Sequence, residues 1–159
     1  MDLAAVVRRL ELERLYADYV QCLDNDALER WPDFFTEDCF YRVTSAENYE
    51  AGLPLGLIRA TSRAMLRDRV SALREANIYE PQRYRHLVAP IRIRSEMPAA
   101  LEVEANLLVV RTMQSGEMTL FVAGRYVDRV VHAGADWQFA RKEVILDSRQ
   151  IDTLLAIPL

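Results

Sequence analysis

Proton transfer at carbon or oxygen needs a carboxylate, an imidazole or a phenol held in an apolar pocket. The chain carries one group that fits: Asp38, Tyr41 and His86, with Arg85 beside the histidine. Brought together at the mouth of a cone, such a trio does dehydration or isomerisation. The competing structural reading is that Asp38 closes a turn, Tyr41 packs, and His86 hydrogen-bonds a backbone group or lies in an interface.

Other chemistry is poorly supplied. His86 and His132 are the two histidines, Cys22 and Cys39 the two cysteines. A mononuclear iron site takes two histidines and a carboxylate, and a Rieske cluster takes two cysteines and two histidines. The inventory cannot furnish both, and the spacings fit neither these nor a zinc site. No cofactor or metal is therefore expected in this chain. The phosphate-binding patterns GxxxxGK and GxGxxG and the GxSxG elbow are missing, and the chain has only five glycines. Neither cysteine has a sequence pattern that makes it a nucleophile paired with His86.

The elements that must position these residues fall into two halves. In the first, Val6, Val7, Leu10, Tyr16, Tyr19, Val20 and Leu23 recur at helical spacing, which predicts a helix over about residues 3 to 23. Asp26 with Glu29 resembles a capping box for a short helix carrying Leu28, Trp31, Phe34 and Phe35, with Pro32 limiting it or in its first turn. Cys39 to Thr44 reads as a strand and residues 49 to 58 as a loop. A helix over 60 to 77 follows, capped by Ser62 or Thr61, with Met65, Leu66, Val70 and Leu73 buried. The second half switches to a period of two. Strands are predicted over 84–95, 101–113, 118–131 and 137–146, with turns at 115–117 and 132–136. Leu107 to Val110 is apolar on both faces, as in a strand covered on two sides. Helices followed by a meander of long strands give an α+β fold, with N-terminal helices packed on a strongly curved, mainly antiparallel sheet that forms a cone.

The 159 residues suit a single domain, 1–159, and 51% hydrophobic residues with 28% charged suit a globule. A net charge of -4 argues against nucleic acid as a partner. No stretch reaches the roughly 18 to 20 apolar residues of a membrane span, and no leader pattern opens the chain. Cys22 and Cys39 read as reduced, buried thiols. A cytoplasmic location is expected.

Two features point outward. Lys142 is the one lysine among 20 basic residues, and arginine favours interfaces because its planar fork pairs with carboxylates and stacks on rings. Arg83, Arg85, Arg92 and Arg94 are the arginine candidates, with His86 among them. The tail carries Leu154, Leu155, Ile157 and Leu159, and a free tail this apolar would be a liability. It must dock, on its own domain or on a neighbour.

Three blocks then carry a family resemblance: Asp24 to Phe35 (DNDALERWPDFF) with Cys39 to Thr44 (CFYRVT) and Gly52 to Gly56 (GLPLG); Met65 to Tyr79 (MLRDRVSALREANIY) with Tyr84 to Leu87 (YRHL); and Phe121 to Val130 (FVAGRYVDRV) with Arg141 to Asp147 (RKEVILD) and Asp152 to Leu159 (DTLLAIPL). In this order and spacing they resemble the β subunits of Rieske-type aromatic-ring-hydroxylating dioxygenases, nearest to the small subunits of terephthalate- and salicylate-type oxygenases. The resemblance implies a cone of the nuclear-transport-factor-two-like, or cystatin-like, kind. It implies a head-to-tail trimer of β subunits under a trimer of large (α) subunits, an α3β3 hetero-hexamer. The large subunit would hold the Rieske [2Fe-2S] cluster and the mononuclear non-haem Fe(II), and a reductase, with or without a ferredoxin, would bring electrons from NADH or NADPH. The assembly would hydroxylate a benzoate-like aromatic acid with O2. No catalytic residue carries over to this chain.

Overall fold

The structure, a computed structural model, describes residues 2–75, 79–150 and 155–159. Helix α1 spans Leu3–Asp24 and is opened by the Asp2 carboxylate, which accepts from the Ala4 N–H at 3.0 Å. Its buried stripe is Leu12, Leu15, Tyr16, Tyr19, Cys22 and Leu23. The expected stripe began earlier, but Val7 and Leu10 are exposed. Polar contacts hold the first turns instead: Arg8 pairs with Glu96 at 3.0 Å, and Arg9 donates to the Ile91 carbonyl at 2.9 Å.

A 3-10 helix, Leu28–Phe34, follows with Pro32 inside it. The predicted capping box does not form, because Asp26 sits at φ 56° and both acids turn to Arg74. Asp26 accepts from its Nη1 at 2.9 Å and Glu29 from its Nε at 2.7 Å. Strand β1 runs Phe35–Ser45, longer than read, and Ser45 caps a five-residue helix α2, Ala46–Glu50, in a region expected partly as loop. Strand β2 is Ile58–Ala60. Helix α3 is Arg63–Glu75, with Ser62 accepting from the Met65 N–H at 3.2 Å. It starts three residues later than predicted, Met65 is exposed rather than buried, and Asn77 lies outside the described residues.

The predicted strand over 84–95 is two strands, β3 Gln82–Val88 and β4 Arg92–Met97. Pro90 supplies no N–H donor, so the ladder breaks there. Long strands complete the sheet: β5 Ala100–Met113, β6 Met118–Ala133 and β7 Asp136–Leu146. Among the described residues the strands form one sheet in the order β2-β1-β7-β6-β5-β3, with β4 also on β5. Every pair is antiparallel except β1 with β7, which is parallel. Register shifts at Val109/Val110 and Arg129/Val130 add twist to strands already long enough to curl. At Gly124 a Cβ would stand 2.1 Å from the Ile145 carbonyl oxygen, so only glycine lets β6 and β7 approach there. Leu107 is buried but Leu108 is exposed, so the expectation of cover on both faces fails.

The concave face closes over an aromatic core. Trp31 packs edge-on against Phe35 and Tyr41, and Tyr19 against Phe34 and Phe139. The end of the chain fills the centre: Leu155, Ala156, Ile157 and Leu159 are all buried. Tyr19 and Tyr41 donate their hydroxyls to the Leu159 main-chain oxygen at 2.8 and 3.0 Å, and the Leu159 N–H donates back to Tyr41 at 3.1 Å. Arg69 reaches the Leu155 carbonyl at 3.2 Å. The tail therefore docks on its own domain. Leu155, Ile157 and Leu159, read as interface candidates, belong to this core because their side chains meet no outer surface; Leu154 lies outside the described residues.

Leu159→Ala should cost about 2 to 5 kcal/mol and lower the melting temperature by about 2 to 4 °C for each kcal/mol. Thermal unfolding of the purified chain checks this. A melt unchanged by the substitution would mean that the tail packs elsewhere.

Candidate functional site

Several polar groups at the centre of the cone are committed to one another, while the Tyr126 hydroxyl and one oxygen of Asp128 are buried without a hydrogen-bond partner. Lys142 and Asp128 face inward from β7 and β6, fully buried, with Nζ 2.8 Å from the carboxylate. The Tyr16 hydroxyl donates to the same carboxylate oxygen. Rings surround the ammonium: its nitrogen lies 3.4 Å from the Tyr126 ring centre, 4.2 Å from Phe139, 4.5 Å from Tyr19 and 4.8 Å from Tyr16. Burial pushes Lys142 down to about 8 and Asp128 up, while their mutual attraction opposes both shifts. Burial also raises Tyr16 and Tyr19 well above the usual phenol range. The sequence offered a hint, since Lys142 alternates in register with core-facing Val144 and Leu146, but its partner is not visible there.

The proposed proton-transfer trio is not assembled. His86 on β3 turns its Nδ1 to Asp24 at the end of α1, 2.6 Å away, and its backbone N–H donates to the same carboxylate at 3.0 Å. With Nδ1–H as donor, the ring clasps β3 to α1. Its Nε2 is buried without a hydrogen-bond partner. Tyr41 holds Leu159, and Asp38 is exposed on β1. Three strands separate β1 from β3 in the sheet order.

Among the described residues no three His, Cys, Asp or Glu side chains stand together as a metal site. Cys22 and Cys39 are free and buried, and burial pushes each thiol up to about 11, away from nucleophile chemistry. His132 lies in the exposed β6–β7 hairpin against Trp137.

The outer face is different in character. Arg83, Arg85, Arg92 and Arg94 are exposed, and among the described residues only Arg94 of these four has an acid near, Glu104 at 3.8 Å. The buried Arg42 pairs with Glu143 at 2.7 Å beneath the loop after α2. Phe40 lies between two guanidinium groups, Arg141 at 4.2 Å and Arg59 at 5.6 Å from its ring centre.

Comparison with known proteins bears on what such a body does. A family model described as "Ring hydroxylating beta subunit" matches residues 19–153. The anthranilate 1,2-dioxygenase small subunit of Burkholderia cepacia is 43% identical over 149 residues, covering 94% of this chain and 92% of that one. A terephthalate 1,2-dioxygenase terminal oxygenase β subunit of Comamonas is 39% identical, over 97% of this chain and 100% of that one. A crystal structure assigned to the β subunit of an aromatic-ring-hydroxylating dioxygenase from Novosphingobium aromaticivorans superimposes with a TM-score of 0.90 at 37% identity, covering 98% of this chain and 99% of that one.

Lys142→Met leaves Asp128 buried without its counter-charge and should cost about 3 to 5 kcal/mol. The double variant Lys142→Met/Asp128→Asn removes both charges, keeps an acceptor for Tyr16, and should recover most of that loss. Urea unfolding of wild type, Lys142→Met, Asp128→Asn and the double variant measures the coupling. A loss in the double variant equal to the sum of the two single losses would show that the pair is not coupled.

Proposed function

The chain belongs to the ring-hydroxylating beta-subunit family, and from that premise we propose that it works as a structural subunit holding an iron-bearing large subunit in place. It is the small subunit of an aromatic-ring-hydroxylating dioxygenase, part of an oxidoreductase complex. Its nuclear-transport-factor-two-like cone is the fold of both scaffolds and enzymes, so the site must decide which role applies. The observation that carries the scaffold role is the filled interior. Leu159, Lys142 and the ring cluster fill the centre of the cone, where the hydroxyls of Tyr16, Tyr19 and Tyr41 are bonded to Asp128 or Leu159 and that of Tyr126 is buried without a partner.

In the assembly proposed, three copies of this chain and three large subunits form α3β3. The large subunit holds a Rieske cluster and a mononuclear iron, and reduction comes from NADH or NADPH through a reductase, with or without a ferredoxin. The residues of this chain do not fit either centre: His86 is bound to Asp24, both cysteines are buried, and among the described residues no three His, Cys, Asp or Glu side chains stand together. The substrate is a benzoate-like aromatic acid, a reading supported by the names of the anthranilate and terephthalate relatives. The complex works in the cytoplasm, consistent with the absence of any membrane-length apolar helix among the described residues.

Co-expression with the large subunit, purification through a tag on this chain, and iron analysis test the reading. About three irons per αβ pair are expected, two in a Rieske cluster and one mononuclear, with O2 uptake on an aromatic acid. His86→Asn should lower the melting temperature of this chain and leave turnover per bound iron unchanged. Turnover of a dehydratase substrate by the small subunit alone, lost on that substitution, would overturn the scaffold role.

A further inference from the structure

The outer face of the sheet carries a charge arrangement that folding alone does not favour. Where β1 meets β2, Arg42 stands directly opposite Arg59. Where β6 meets β7, Arg129 stands directly opposite Arg141. Like charges in opposed cross-strand positions repel, so a sheet selected only for stability keeps them apart. Phe40 on β1 is aligned with Arg141, and its ring centre lies 4.2 Å from that guanidinium and 5.6 Å from that of Arg59.

The four arginines and Phe40 line one open depression of about 500 Å³, with Tyr49 also in its wall. Its acids are Glu102 and Glu143. Glu143 accepts from Arg42 at 2.7 Å and from Arg141 at 2.9 Å, and Glu102 accepts from Arg129 at 2.7 Å. Arg59 has its ring contact with Phe40 but no ion-pair partner among the described residues. Four guanidinium groups against two carboxylates leave two positive charges in surplus. Other acids nearby are taken elsewhere: Glu104 stands 3.8 Å from Arg94 and 4.0 Å from Arg125, and Glu47 pairs with Arg149 at 3.1 Å.

The rim is held in place before any ligand arrives. Arg42 and Thr44 donate to the carbonyls of Leu53 and Leu55 at 2.8 and 3.0 Å, and the Leu57 N–H donates to the Val43 carbonyl at 2.8 Å. At Gly56 a Cβ would stand 2.6 Å from the Val43 carbonyl oxygen, so glycine lets the loop after α2 lie this close to β1. A rim already ordered costs little further entropy on binding. Guanidinium groups pair with carboxylates through parallel hydrogen bonds and stack on rings, while Phe40 and Tyr49 offer rings to a ring. The volume is that of a small-molecule site.

We propose that this depression binds a small aromatic carboxylate, its carboxylate on Arg59 and Arg141 and its ring beside Phe40 and Tyr49. The site lies wholly within this chain and goes beyond the scaffold role without depending on it. Calorimetric titration of the purified full chain tests it, in about 0.15 M salt so that loose surface attraction is screened. The probes are benzoate, benzene-1,4-dicarboxylate and inorganic phosphate. The dicarboxylate should bind one molecule per chain and most tightly, benzoate next, and phosphate most weakly. Arg59→Gln, on an exposed side chain of the edge strand β2, should weaken the dicarboxylate about tenfold or more, as loss of a charged hydrogen bond does. Phe40→Leu should weaken benzoate and leave phosphate unchanged, and Arg92→Gln, on β4, should change neither. Absence of saturable binding of either aromatic acid overturns the proposal. So does phosphate binding as tightly as the dicarboxylate, or affinity undiminished in Arg59→Gln. Capture of the large subunit by a chain that binds no acid overturns this site and keeps the scaffold role; acid binding by a chain that captures no large subunit does the reverse.

Discussion

A curled sheet encloses a volume that something must fill, and here an ion pair and the end of the chain fill it together. Taking an ammonium and a carboxylate out of water costs several kcal/mol each, and only close pairing with further polar or ring contacts offsets that. Lys142 and Asp128 meet at 2.8 Å, Tyr16 adds a hydrogen bond, and four rings face the ammonium. Two of these rings, with Tyr41 beside them, bind the rest of the structure. Tyr16 ties α1 to β6 and Tyr19 ties α1 to the tail, while Tyr41 ties the tail to β1. Helix, first strand, last strands and tail are thus locked around one polar centre.

That lock decides what the cone is used for. A catalytic pocket keeps polar groups aimed into an open space, ready for a substrate to satisfy. Here the inward hydroxyls of Tyr16, Tyr19 and Tyr41 already have partners inside the chain. The outer face, by contrast, carries exposed arginines on β3 and the exposed side chains of Leu53, Leu55 and Leu57. A scaffold subunit needs this division, since a partner is positioned only as firmly as the body it docks on resists deformation, and a close-packed interior resists it well.

The strands were largely legible because their period of two persists over many residues and their hairpins carry Gly116 and Gly134 in left-handed conformations. The tail's need to dock was legible from its composition, though not where it docks. Other features were hidden because their causes are distant in sequence or too short to show a period. Helix α2 has five residues, less than two turns. The acids read as a capping box are claimed by Arg74, 48 residues from Asp26. Pro90 was visible, but alternation on both sides of it masked the break between β3 and β4. Within α1 the apolar spacing continues past the point where the core ends, so pattern alone could not separate buried Leu12 from exposed Leu10.

His86 shows most clearly why residue type and fold together still leave function open. A strand histidine near a tyrosine and an arginine has the composition of an acid–base site. What such a site also needs is a ring nitrogen facing a space where a substrate can stand. Asp24, 62 residues away in sequence, holds Nδ1 at 2.6 Å and the backbone N–H at 3.0 Å, and the packed core leaves Nε2 buried. Both ring nitrogens are thereby withdrawn from chemistry, and the same side chain becomes the joint between the end of α1 and the edge strand β3. That joint fixes the strand whose outer face carries Arg83, Arg85 and Leu87, so a residue that looked catalytic serves the outer surface by holding its strand in place.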